Sequence, residues 1–153
     1  MKRTGIKRVG KSATSKLQKK CDSFLTKIAK LHSPFCECCG DPTQVGHHWI
    51  EKSRSARLRY EVDTEEQQGN IISLCHKCHF LIHNRFGANI VGSLDVANII
   101  IKKRGKAWFN RMNRLSREII KTNKAYYEGE LERLQGIVDN FLAIIVVHGN
   151  IKE

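Results

Sequence analysis

Apolar residues recur at steps of four, three, four and three from Leu17 through Cys21, Phe24, Ile28 and Leu31, the spacing of one helical face. The pattern predicts a helix over 15–33, stopped ahead of Pro34, because a proline disfavours helical geometry in the residue before it. Cys21 lies on that stripe and reads as a buried small hydrophobe. Farther on, Ile71, Ile72, Ser73 and Leu74 form a short strand-like run leading into Cys75. Between them, Glu61, Asp63, Glu65 and Glu66 read as a solvated loop, and residues 84–87 as another. Ser93 is placed to cap a helix over 94–103, with Gly105 as its stop. A second helix is expected over about 106–127, with Trp108, Met112, Leu115 and Ile119 on one face and Arg111, Arg114, Arg117 and Lys121 along another. A third follows Gly129 through Leu131, Leu134 and Val138. The run over 141–147 is too apolar to be left in water; it docks on the core, joins two copies as a homodimer contact, or forms a terminal strand.

Charge changes the picture. Among 153 residues, 27 lysines and arginines face 15 acids, a formal net charge of +12. A surplus of that size implies a polyanionic partner, most often nucleic acid, whose counterions are released on binding. The first twenty residues hold eight of the basic side chains and no acid, and cannot bury a core. Residues 1–14 therefore read as a basic flexible tail, with Lys2, Arg3, Lys7 and Arg8 tracking phosphates and Lys19 and Lys20 extending the track. Arg54, Arg57, Arg59, Arg111 and Arg114 are further candidate contacts to nucleic acid. No apolar run follows the basic N-terminus, and 141–147 falls far short of the roughly 20 residues of a membrane-spanning helix. A cytoplasmic protein without a membrane partner is the expectation.

Six cysteines without a secretory signal favour metal over disulfides. Cys36-x-x-Cys39-Gly40 and Cys75-x-x-Cys78 are two knuckles able to close one tetrahedral structural zinc site, with no coordination position left for substrate. Cys38 is a rival ligand, but two intervening residues are the usual knuckle. The same stretch carries His47-His48, Asn70, His79 and His83. His79 and His83 share a helical face at i,i+4, whereas adjacent residues in a strand point to opposite faces. Only one of His47 and His48 then joins a divalent ion (Mg²⁺, Mn²⁺, Ni²⁺ or Zn²⁺) with His79 and His83, and the other is left to act on water. We assign His47 to the metal, His48 as the general base, and Asn70 to bonding backbone carbonyls near His48. His32, His76 and His148 lack such partners. Trp49 is expected to pack under the loop.

Gly46-His47-His48, Asn70, Cys75-x-x-Cys78-His79 and His83 resemble the HNH (ββα-metal) endonucleases, with the Asn70–His79–His83 spacing similar to that of the colicin DNase subgroup. The wider segment, through Cys36-Glu37-Cys38-Cys39-Gly40 and Leu58-Arg59-Tyr60, is similar to small phage HNH proteins of the NinG/Rap recombination endonuclease type. The likeness covers about residues 19–110. It implies an α+β fold in which a ββα-metal core at 34–92, braced by the four-cysteine zinc site, is flanked by the N-terminal helix and a helical extension over 93–153. It also implies metal-dependent hydrolysis of duplex or branched DNA in phage-type recombination or processing, in the host cytoplasm. Two departures stand out: the stretch from His48 to Asn70 is longer than in compact members, and the family often has an acid where His47 sits, which leaves the base open between His47 and His48. A non-catalytic zinc-containing nucleic-acid-binding module is the competing reading, and an RNA-directed nuclease a third.

Overall fold

The apolar stripe of the first helix is where the architecture starts. A computed structural model describes residues 13–83 and 90–149, arranged as α1 (Ala13–His32), β1 (Val45–His48), β2 (Ile71–Leu74), α2 (His76–His83), α3 (Ile90–Arg104), α4 (Lys106–Leu115) and α5 (Lys124–Gly149). Helix α1 buries Cys21, Leu25, Ile28 and Ala29 and ends at His32, before Pro34. The fold is α+β, with β1 and β2 forming a two-stranded antiparallel sheet. Their register pairs Val45 with Leu74, Gly46 with Ser73, His47 with Ile72 and His48 with Ile71.

Alternation along β2 divides the interior. Ile71 joins a cluster with Leu25, Ile28, Tyr60, Tyr127, Leu134 and Val138, between α1 and α5, and the Ser73 hydroxyl on the same face donates to the Ala29 carbonyl at 2.9 Å. Ile72 and Leu74 join the opposite cluster with Cys36, Ile82, Ile100, Trp108 and Met112, toward α2, α3 and α4. Gly46 permits the close approach of α1 to the sheet. A Cβ there would stand 2.9 Å from the Leu25 carbonyl oxygen and 3.0 Å from the Ile71 side chain. Helix α5 runs alongside α1 in the same direction: Cys21 Sγ reaches the Tyr127 carbonyl at 3.5 Å, and the Phe141 ring meets His32 edge-on with centroids 4.6 Å apart.

One ion network joins the two ends of the core. Arg104, the last residue of α3, is buried and gives Nε to Glu37 at 2.6 Å, its Nη groups to Asp63 at 3.0 and 2.9 Å, and further bonds to the carbonyls of Gly69 and Ile71. Glu37 in turn accepts the Ser73 amide at 2.8 Å. A buried charge is tolerable only when its donors are met in this way.

Several expectations need correcting. Helix 106–127 is interrupted: α4 stops at Leu115, and Ile119, assigned to its apolar face, is 97% exposed. The break is held by bonds that tighten the chain, Arg117 N to Arg114 O at 3.2 Å and Glu118 N to Leu115 O at 3.1 Å. Asn123 then caps α5, its Oδ1 accepting the Tyr126 amide at 2.9 Å. Gly129 starts nothing; α5 runs through it, carried by the stripe packed on α1. Ser93 lies inside α3, which begins at Ile90, although Gly105 (φ 89°) does end that helix. Glu61 and Asp63 are not simply solvated, because Asp63 holds Arg104 while Glu61 holds Arg57 at 2.8 Å and Arg111 at 3.4 Å. The run over 141–147 is helical, with Phe141 partly docked and Leu142, Ile144, Ile145 and Val146 exposed. The loop at 84–87 and the tail up to residue 12 lie outside the described residues. Among the described residues, no helix is long and apolar enough to cross a membrane.

Candidate metal centres and active site

Two clusters of metal-ligating side chains form on either side of the start of α2. In the first, the sulfurs of Cys36, Cys39, Cys75 and Cys78 all lie within 4.8 Å of one another. Cys39 and Cys75 Sγ are 3.6 Å apart. That is far beyond a disulfide bond of about 2.05 Å and close to the ~3.8 Å expected for two sulfurs about 2.3 Å from one tetrahedral zinc. Each knuckle is shaped by its backbone: Gly40 N returns to Cys36 O at 3.0 Å, Gly40 takes φ 83°, and Cys78 N points at Cys75 Sγ at 3.4 Å. Burial pushes the Cys36 thiol up, but the amides of Cys39, Cys75 and Cys38 outweigh it and bring the group down to about 7. Such donors favour thiolate at Cys36, the form that holds a metal, whereas burial and the neighbouring thiols push Cys78 up. Cys38 stays outside the quartet and packs against the core. The four cysteines are positioned to bind a metal ion, as a structural zinc requires.

In the second cluster, His47, His79 and His83 each offer a ring nitrogen within 4.8 Å of the others. The three rings meet edge to face, with centroids 5.2, 4.8 and 4.6 Å apart. The Nε2 atoms of His79 and His83 are 3.1 Å apart, near the ~3.4 Å of two nitrogens about 2.1 Å from one tetrahedral ion. Strand alternation and the i,i+4 helical spacing both contribute: β1 delivers His47 to the α2 side, and α2 presents His79 and His83 on one face. His47 is buried and His83 exposed, so the set opens to solvent on one side. Burial, helped by the neighbouring His83 and His76, lowers the His79 pKa and favours the neutral imidazole that a ligand must be.

His48 faces the other way, pairing with Ile71 on the α1 side of the sheet, yet lines the same pocket of about 300 Å³ as His47, His79 and His83. One of its nitrogens, Nε2, lies 3.0 Å from the Arg59 carbonyl. A carbonyl only accepts, so Nε2 carries the proton and Nδ1 keeps its lone pair. Burial lowers the His48 pKa, with the Arg59 bond working against it. Arg59 is itself fixed by a two-pronged pair to Asp22 of α1, at 3.1 and 2.7 Å.

Asn70 is fully buried and ties both ends of the loop between the strands. Its Oδ1 accepts the Ile50 amide at 2.7 Å, while Nδ2 donates to the carbonyls of Ile50 at 2.9 Å and Leu58 at 3.1 Å. Leu58 precedes Arg59, so the same amide that closes the loop also places the carbonyl holding His48. Trp49 packs on Trp108 and Phe109, with centroids 5.2 and 6.1 Å away.

The candidate nucleic-acid contacts divide. Lys2, Arg3, Lys7 and Arg8 lie outside the described residues, and Lys19, Lys20 and Arg54 are exposed. Arg57, Arg59 and Arg111 are engaged with Glu61 or Asp22 inside the fold, and Arg114 is exposed with a long 3.7 Å pair to Glu118. Glu51, Lys52 and Ser53, which line the histidine pocket, went unnoticed in the sequence; their nearness to His48 in the chain was the available signal. No family model matches the chain, and neither a curated protein nor a solved structure does so; the HNH resemblance therefore stands on its motif residues alone.

Proposed function

We propose that the chain is a metal-dependent DNA endonuclease that hydrolyses phosphodiester bonds, with His47, His79 and His83 holding one divalent ion and His48 as general base. The observation that carries this reading is the convergence of three imidazoles from two distant stretches, with a fourth in the same pocket. A divalent ion bound there supplies Lewis acidity toward a phosphoryl oxygen and offsets charge on the leaving oxygen. The chain's own groups do the rest. Neutral His48 takes a proton from the attacking water at Nδ1, while the Arg59 carbonyl accepts from Nε2–H and stabilises the imidazolium that forms. Asn70 keeps the loop carrying that carbonyl in register. Exposed Lys52 lines the pocket and brings positive charge to an incoming phosphate. The zinc quartet, through Cys78, anchors the helix that presents His79 and His83. DNA as substrate, and a place in phage-type recombination or processing, come from the resemblance; the net charge of +12 supports a nucleic acid more generally.

The test is plasmid cleavage by the wild type and by His48→Ala, with and without EDTA. Cleavage that needs a divalent ion and drops at least a hundredfold in the variant is expected, the range for losing a general base. Equal, metal-independent cutting by both proteins would remove the reading.

A further inference from the structure

Among the described arginines, Arg57, Arg59, Arg104, Arg111, Arg114 and Arg133 each reach a carboxylate. Arg54 and Arg117 do not, and neither side chain has another hydrogen-bond or ion-pair partner among the described residues. These two line one pocket of about 440 Å³ with Ile50, Asn113 and Ser116. Both are exposed, and two like charges at one pocket raise the local positive potential and favour an anion there.

The place in the fold sharpens the point. The pocket sits at the C-terminal end of α4, where basic side chains commonly serve the helix's own free carbonyls. Here those carbonyls are already taken. Ser116 N bonds Met112 O at 2.9 Å, Ser116 Oγ donates to Asn113 O at 2.8 Å, Arg117 N bonds Arg114 O, and Glu118 N bonds Leu115 O. Glu118, the acid next to Arg117, is shared between Arg57 at 3.9 Å and Arg114 at 3.7 Å. Arg54 and Arg117 thus keep their guanidinium donors, and the Asn113 amide adds a neutral donor. Ile50 supplies an apolar wall whose main chain is clamped by Asn70.

Paired planar guanidiniums suit the oxygens of a phosphate, which they grip in bidentate fashion. We propose that this pocket is a phosphodiester subsite for a nucleic-acid strand, a few nucleotides away from the bond presented to His48; the assignment rests on the nuclease reading above. The two pockets share one short loop. Residues 51–53 line the histidine pocket and residues 50 and 54 line this one. Those five residues would span at most about 17 Å if extended and are drawn closer by a turn, Arg54 N to Glu51 O at 2.8 Å, which is within a few phosphates along one strand of a duplex. A strand held here is fixed in register at the site of cutting.

The experiment is equilibrium binding of a short DNA duplex by the full chain, without added divalent ion, across a salt series, run beside the plasmid assay. At about 0.1 M salt, Arg54→Gln/Arg117→Gln is expected to bind on the order of tenfold more weakly, with a log K against log salt slope shallower by about 0.9 for each phosphate no longer neutralised. Lys27→Gln/Lys30→Gln removes the same charge at exposed residues outside the pocket and should change affinity by less than about threefold, as charges screened from the strand do. Asn113→Leu should weaken binding and leave the slope alone. If the pocket variant loses no more than the charge-matched pair, the subsite is overturned, whether or not the protein cuts DNA. A wild type that shows the pocket-dependent binding yet never cleaves overturns the nuclease reading and keeps the subsite. A wild type that binds no DNA overturns both.

Discussion

Asn70 shows how one side chain can set the geometry of a site it does not enter. Its amide makes three bonds to main-chain groups of residues 50 and 58; the Leu58 carbonyl is away from water and the Ile50 groups are half-buried. Replacing it with alanine strands them, at about 1–3 kcal/mol for each buried group left unmet, less any that water recovers. Asn70→Ala is expected to lower stability by roughly 2–4 kcal/mol in denaturant unfolding, and to reduce cleavage even where the protein remains folded. A variant that loses stability but cuts at the wild-type rate would separate Asn70 from the positioning of His48. His32 gives a second residue-level expectation. Its Nε2 is buried without a partner among the described residues, and burial lowers its pKa from the usual 6.5, with Asp63 opposing and Arg104 adding to the shift. The folded state therefore binds protons less readily than the unfolded chain. Stability is full above pH 6.5 and is lost as pH falls toward the depressed folded value. His32→Leu keeps the packing on Phe141 and removes this dependence; unfolding midpoints of variant and wild type should diverge most below about pH 6. Curves that stay parallel across that range would contradict the assignment.

At the level of elements, the legible parts are those whose chemistry repeats at a structural period. The stripe from Leu17 to Leu31 and the i,i+4 pair His79–His83 required helices, and α1 and α2 are found there. The adjacent pair His47–His48 required opposite faces in a strand, and β1 divides them so. The break after α4 was hidden because Ile119 continues the period of Trp108, Met112 and Leu115, although it is fully in water. The readable counter-signal was Asn123, whose side chain caps α5. Arg104 was opaque for another reason: Glu37 and Asp63 are 67 and 41 residues away in the chain, and no local pattern reports such a pairing. Gly129 suggested a boundary, yet packing on α1 overrides its poor helix propensity. Both Gly129 and Gly136 have open space where a Cβ would stand and neither takes a positive φ. Alanine at each is expected to stabilise the protein by about 0.5–1 kcal/mol through the unfolded chain's lost freedom. Chemical denaturation reads this directly, and destabilisation at either position would mean that α5 does not run straight through.

Across the whole molecule, the two clusters meet along the thin two-stranded sheet. The cluster between α1 and α5 is built from side chains alone. The other includes Cys36, Cys75 and Cys78 among its buried members, so its stability is linked to whatever those thiolates hold. Cys39 separates metal binding from packing, because it is the one exposed member of the quartet. Serine there changes almost nothing in the core but removes a soft ligand. If zinc braces this half, Cys39→Ser should lose most of its bound zinc, counted by elemental analysis as one per chain in the wild type, and should melt markedly earlier. Excess chelator should bring the wild type to the same midpoint and leave the variant unmoved, since the two perturbations remove the same contribution. The histidine set would loosen in parallel, because Cys78 is the anchor from which α2 presents His79 and His83, so added Mn²⁺ should restore less cleavage in the variant than in the wild type. A Cys39→Ser protein that melts with the wild type, carries no less zinc and ignores chelator would leave the quartet as four packed thiols, and α2 would be held by the apolar contacts of Cys78, Leu81 and Ile82 instead.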